Sequence, residues 1–138
     1  MNIPKGDIRV LVVDDSPLYI EGLIVKLGEL GYTGIQQAED GPKALELAKD
    51  YRPHLVLIDT QMPGPRGYEV CRQMRQEPYG GNVAIIGMSN YYNDNDPEIR
   101  GAWMEAGADD VFPKNIELTD LNLDGLILAA LEKHHHQQ

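Results

Sequence analysis

Three aspartates, one serine and one lysine hold most of the chemistry this sequence offers. Asp14 and Asp15 follow Val10-Leu11-Val12-Val13, and Asp59 closes Leu55-Val56-Leu57-Ile58. Ser89 follows Ile85-Ile86-Gly87-Met88, and Lys114 follows Val111-Phe112-Pro113. Each has an ordinary explanation when taken alone, because turns are polar and aspartate caps helices. Brought to one place, the five read differently. Three packed carboxylates repel, so the ionised cluster needs a cation. Hard oxygen ligands with room for water suit Mg2+. A lysine balances charge and grips an anion, and a serine hydroxyl donates to a phosphoryl oxygen. Together these meet the needs of phosphoryl transfer, which are positioning and neutralisation of the equatorial oxygens. Asp59 is then the candidate nucleophile, since an aspartate can form an acyl phosphate.

The elements that would gather them alternate along the chain. Residues 8–13 are apolar and β-branched, which predicts a buried strand. Ser16-Pro17 supplies an N-cap and a first-turn proline. Ile20, Leu23, Ile24, Leu27 and Leu30 continue at helical spacing until Gly31. Residues 34–38 read as a weaker strand, and Asp40 caps a second helix with Ala44, Leu45 and Ala48 on one face. A third strand covers 55–58, and a third helix begins near Gly67 with Val70, Cys71 and Met74. Residues 83–88 form a fourth strand. Asp96-Pro97 opens a fourth helix with Ile99, Ala102, Trp103 and Ala106 inward. Residues 110–113 make a short fifth strand, and Leu123, Leu126, Ile127, Ala130 and Leu131 line a last helix. Five strands interleaved with five helices imply an α/β fold, a doubly wound parallel sheet covered on both faces with right-handed crossovers. Ligands of such sheets gather beyond the carboxyl ends of the strands, and all five residues fall there.

Length and composition narrow the classes. The 138 residues suit a single domain and one core. No apolar run approaches the roughly 20 residues of a membrane span, and the N-terminus lacks the layout of a secretory signal. The one cysteine, Cys71, rules out an internal disulfide and fits a reducing cytoplasm. A net charge of −10 disfavours nonspecific contact with nucleic acid or anionic lipid. Residues 134–138 read as a frayed tail beyond a core of about 7–133. Their three histidines are taken as a solvated end or a cloning remnant before a metal site. Cys71 and Trp103 are read as core, and His54, at the opening of a strand, is assigned no chemistry.

The motifs resemble the receiver domain of two-component response regulators, the flavodoxin-like fold of the chemotaxis response regulator. The resemblance rests on Val12-Val13-Asp14-Asp15-Ser16, on Asp59-Thr60-Gln61-Met62-Pro63 with Gly67 eight residues after the aspartate, and on Ala106-Gly107-Ala108-Asp109-Asp110 with Lys114. It covers about residues 7–133 and implies strand order 2-1-3-4-5. It further implies that Asp59 accepts phosphate from a sensor histidine kinase or a histidine phosphotransfer protein. Asp14 and Asp15 would help Asp59 hold Mg2+, with the main-chain carbonyl of Gln61 as another ligand. Ser89 and Lys114 would contact the phosphoryl group. A downstream protein would be met by the face of helix four, strand five and helix five, and a homodimer is compatible with the same resemblance. The expectation is a cytoplasmic signalling domain and not an enzyme, its chemistry limited to its own phosphorylation and dephosphorylation. It would be either a stand-alone receiver or a piece of a longer protein.

Three departures stand out. Asn115 follows Lys114 where the family usually has proline, with Pro113 before it. The segment 90–96 is longer than usual and acidic, and its Tyr91 and Tyr92 are candidates to cover the site or meet a partner. Val111 stands where an aromatic is often found, and Phe112 should face the other side of the sheet. The resulting expectation is a damped or rerouted switch that leans on the loop at Tyr91 and Tyr92. Among rival readings, a hydrolase of the haloacid dehalogenase type needs a second aspartate where Gln61 stands. A flavodoxin-like cofactor binder would want a Ser/Thr/Gly-rich loop after the first strand, where Asp14 and Asp15 would repel phosphate. A phosphorylation-independent docking module is the remaining alternative; the intact acceptor, acidic pair, serine and lysine count against it.

Overall fold

The apolar runs become five strands: β1 (Arg9–Val13), β2 (Gly34–Ala38), β3 (Leu55–Asp59), β4 (Ala84–Ser89) and β5 (Asp110–Pro113). They are seen in a computed structural model that describes residues 3–90 and 97–135. The strands are parallel in the order β2-β1-β3-β4-β5, as the resemblance implies. Five helices alternate with them: α1 (Pro17–Glu29), α2 (Gly41–Tyr51), α3 (Gly67–Arg75), α4 (Pro97–Glu105) and α5 (Leu123–His135). A single 3-10 turn, Lys5–Asp7, precedes β1.

Strand periodicity sorts the core into two halves. Val10, Val12, Leu55 and Leu57 pack on the side of α1 and α5. Leu11, Val13, Val56 and Ile58 pack on the side of α2, α3 and α4. With both faces covered, β3 is buried at every position, which explains its unbroken apolar run. Val111 lies against the α2–α4 half and Phe112 in the α1–α5 half, the opposed orientation expected.

Helix starts follow local chemistry. The Ser16 hydroxyl accepts the Tyr19 N–H at 3.3 Å, with Pro17 in the first turn. Asp40 accepts the Lys43 N–H at 2.9 Å. The α1 helix stops at Gly31, whose φ of 103° is open mainly to glycine. Asp96 lies outside the described residues, so the cap of α4 does too.

The last helix begins at Leu123, as the spacing implies, and differs from the expectation at its far end. After β5 the chain makes one turn, in which the Glu117 carbonyl accepts the Asp120 and Leu121 N–H groups. Asn122 Oδ1 then accepts the Gly125 N–H at 3.0 Å and starts α5. Near its start, Asp124 pairs with Lys5 at 2.9 Å and accepts the Tyr32 hydroxyl at 2.9 Å. Near its end, His134 meets Gly81 and Asp109. All four partners sit where strands begin. The ten residues between these anchors rise about 15 Å, close to the roughly 14 Å across β1, β3, β4 and β5. Helix α5 therefore crosses the strands along their amino edge. It also runs through His134, which corrects the frayed tail: the ring at 134 is held by Asp109 and Gly81. Residues 136–138 lie outside the described residues.

Candidate functional site

Four of the five strands, all but β2, deliver a site residue at the carboxyl edge. Asp14 follows β1, and its N–H bonds to the Ala38 carbonyl at the end of β2. Asp59 is the last residue of β3 and Ser89 the last of β4. Lys114 follows β5, and its N–H donates to the Ser89 carbonyl at 2.6 Å. Parallel register thus brings together the residues singled out from the sequence. Carboxylate oxygens of Asp14, Asp15 and Asp59 all lie within 4.8 Å of one another.

Their environments differ. Asp14 is fully buried, and its two oxygens are engaged: Oδ1 by the Ser16 N–H at 2.9 Å and Oδ2 by Lys114 at 2.8 Å. Asp15 is exposed at the rim. Asp59 is 2% exposed, and its Oδ1 accepts no hydrogen bond. The Lys114 ammonium stands 3.4 Å from that oxygen, near enough for attraction but nearer to Asp14. Burial pushes the Asp59 carboxyl up to about 6, and the Asp14 charge adds to the rise while Lys114 opposes it. Ser89 Oγ is likewise buried without a partner. Unsatisfied buried polar groups are rare and destabilising. Here two flank one another at adjacent strand ends.

An open basin of about 710 Å³ lies above them, lined by Asp15, Tyr19, Asp59, Gln61, Asn90 and Lys114 among others. Three clustered carboxylates, one of them lacking a donor, form an acidic pocket that fits a hard divalent cation. Tyr91 and Tyr92 lie outside the described residues. His54 is at the opposite edge, where its Nδ1 accepts the Arg9 N–H at 2.9 Å. Burial, with Arg9 adding, pushes its pKa down. Cys71 is buried core, its thiol pushed up to about 11 chiefly by burial. The Lys114–Asn115 peptide is trans.

Two participants were not singled out by sequence reasoning. The Tyr19 ring lies with its centroid 4.4 Å from Lys114 Nζ, a cation–π distance. Its place in the first turn of α1, five residues after Asp14, was the available signal. Thr60, next to Asp59, donates its hydroxyl to the Met88 carbonyl at 2.7 Å and accepts the Trp103 indole N–H at 2.9 Å. Helical spacing marked Trp103 as core, which it is, but could not show that its nitrogen ends beside the site.

Comparison with known proteins identifies the family and the fold. Residues 10–124 match the family described as response regulator receiver domain. The chain is 40% identical over 114 residues to response regulator MprA of Mycobacterium sp. (strain KMS), covering 83% of this chain and 47% of that protein. Identity is 38%, with the same coverage, to response regulator MprA of Mycobacterium bovis (strain BCG / Pasteur 1173P2). The chain therefore spans about half the length of these curated relatives. Among solved structures, it resembles the signal receiver domain of a signal transduction histidine kinase from Syntrophus aciditrophicus. That pair has a TM-score of 0.77 and 29% identity, over 91% of this chain and 90% of the other. A CheY-like receiver domain protein from Methanospirillum hungatei JF-1 shares the fold, with a TM-score of 0.80 and 22% identity over 95% and 98% of the two chains.

Proposed function

The chain belongs to the response regulator receiver domain family, and from that premise we propose that Asp59 is its phosphoacceptor. The observation that carries this reading is the buried Asp59 carboxylate, short of a donor, set among Asp14, Asp15, Lys114 and an unpartnered Ser89 hydroxyl. Receiver domains of response regulators receive phosphoryl groups from histidine kinases. On this reading an Asp59 oxygen attacks the phosphorus of a phosphohistidine on a kinase or phosphotransfer protein. The new P–O bond forms as the P–N bond breaks, and the departing electron pair stays on the imidazole nitrogen, which takes up a proton. Asp59 must be ionised to attack, and a cation held by the same carboxylates favours that form over the metal-free state, in which burial raises its pKa. Asp14, Asp15, Asp59 and the Gln61 main-chain carbonyl would hold Mg2+, which supplies charge neutralisation of phosphoryl oxygens when bound. Lys114 then leaves its pairing with Asp14 and contacts the phosphoryl group, and Ser89 donates its hydroxyl to it.

The chain acts in this proposal as a cytoplasmic signalling domain, with no reaction beyond its own phosphorylation and dephosphorylation. Among the described residues no helix is long and apolar enough to cross a membrane. The partner surface is the face of α4, β5 and α5, together with the segment between β5 and α5. Met104, Ile116 and Leu128 are exposed on these elements.

The test is incubation with acetyl phosphate and Mg2+. One phosphoryl group should be gained, removed by mild alkali, and absent in Asp59→Asn. Mass spectrometric assignment to another residue of the wild type would overturn the reading.

A further inference from the structure

Trp103 is the only tryptophan in the chain and is fully buried. Its indole occupies space that two glycines leave open. A Cβ on Gly87 would stand 2.6 Å from indole carbons, and one on Gly67 would stand 2.9 Å from them and collide with the Asp59 carbonyl. The ring nitrogen can only donate. Its partner is Thr60 Oγ1 at 2.9 Å, so the single Thr60 hydroxyl proton is committed to the Met88 carbonyl at 2.7 Å. The Thr60 N–H reaches that same carbonyl at 2.9 Å. A directed chain of hydrogen bonds thus runs from α4 through the end of β3 to the end of β4.

Its position decides its meaning. Thr60 adjoins Asp59, and Met88 adjoins Ser89 and is the register partner of Asp59. The residues it joins are therefore the immediate neighbours of the two unsatisfied groups, Asp59 Oδ1 and Ser89 Oγ. Trp103 does not line the basin, so it touches no reacting atom. We propose that Trp103, acting through the Thr60 hydroxyl, is a positioning residue that fixes the Asp59 carboxylate and the Ser89 hydroxyl at the spacing one phosphoryl group requires. The inference rests on the acceptor role given to Asp59.

Three substitutions test it. Thr60→Val keeps the side-chain shape and removes the hydroxyl. Thr60→Ser restores the hydroxyl. Trp103→Phe keeps an aromatic ring and removes the donor. Initial rates of Asp59 modification by acetyl phosphate are followed by mass spectrometry across a Mg2+ titration, with a urea midpoint recorded for each variant. Thr60→Val and Trp103→Phe should each slow modification by about tenfold, the scale on which misplacement is felt. The Mg2+ midpoint should shift far less than the rate falls, because Asp14 and Asp15, two of the would-be ligands, lie outside the chain of hydrogen bonds. Thr60→Ser should modify at close to the wild-type rate. The double variant should be no slower than either single one, because both cut the same link. If Thr60→Val does not fold, Trp103→Phe and Thr60→Ser carry the comparison.

A wild-type rate in Thr60→Val or Trp103→Phe, a rate in Thr60→Ser as low as in Thr60→Val, or multiplying losses in the double variant would overturn the inference and leave the acceptor role standing. A wild type that is never modified at Asp59 would overturn both.

Discussion

The two edges of the sheet use the same residue types to opposite ends. At the amino edge, Asp109 accepts the Ile85 N–H at 2.9 Å, pairs with Arg75 at 3.2 Å and meets His134 at 2.9 Å. Arg75 spends its remaining donors on the carbonyls of Gly80, Val83 and Gly107. At the carboxyl edge, Asp59 is more deeply buried, yet one of its oxygens has no hydrogen bond and its nearest charged neighbours include two carboxylates. Aspartate is thus structural where its valences are closed by the fold, and reactive where they are left open. The difference separates what holds the sheet together from what the sheet presents.

Removing a carboxylate at each edge should give shifts of opposite sign. Asp109→Asn breaks a part-buried, hydrogen-bonded pair and weakens the hold on Arg75 and His134, and should lower stability by about 2 kcal/mol in urea unfolding. Asp59→Asn should do the reverse at neutral pH, stabilising the chain by up to about 3 kcal/mol, because it removes a charge held in an unfavourable place. Loss of stability in Asp59→Asn at pH 7 would erase the contrast between the edges.

The pH dependence sharpens this. Asp59 binds its proton more tightly folded than unfolded, so between about pH 6 and pH 4 the folded state carries the extra proton. Stability from this group therefore rises as pH falls through that window. His54 works the other way: its lowered pKa gives a contribution present above its ordinary value and lost as pH falls. Comparing wild type with Asp59→Asn cancels the histidine. The stability gap between them should be widest near pH 7 and should close by about pH 4.

Added Mg2+ should act on one edge alone. At ten times its dissociation constant it should stabilise the wild type by about 1.4 kcal/mol. Asp14→Asn combined with Asp15→Asn should abolish that gain, whereas Asp124→Asn should retain it. The smallest effect belongs to that last substitution. Lys5 and Asp124 form a partly exposed pair, so Asp124→Asn should cost about 0.5–1 kcal/mol and leave phosphorylation unchanged.

The carboxyl edge was legible in the sequence because each of its residues terminates an apolar strand. Strand length fixes where Asp14, Asp59, Ser89 and Lys114 emerge, and parallel pairing does the rest. Helix α1 was legible from its cap, its proline and Gly31. The amino edge was not legible. Nothing local ties Asp109 to Arg75 or His134, which are joined only after β4, β5 and α5 have packed. The crossing path of α5 was hidden for the same reason: Leu123, Ile127 and Ala130 mark a buried face, but periodicity gives a face and not a direction. Trp103 shows the limit most plainly. Its burial follows from spacing, while its hydrogen bond depends on a threonine 43 residues away.

The glycine-lined slot around that indole also constrains the order in which such a sequence can arise. With any side chain at position 87, a tryptophan at 103 collides with it. With glycine at 87 and a small residue at 103, the sheet has a void, which destabilises but does not forbid folding. The path through sequence space is therefore ordered: glycine is the permissive step and tryptophan the step that fills it. Replacing glycine at position 87 alone is a dead end once the ring is in place. The pair can be exchanged for another packing only by passing back through the cavity, which makes the two positions a single heritable unit even though they lie on different elements.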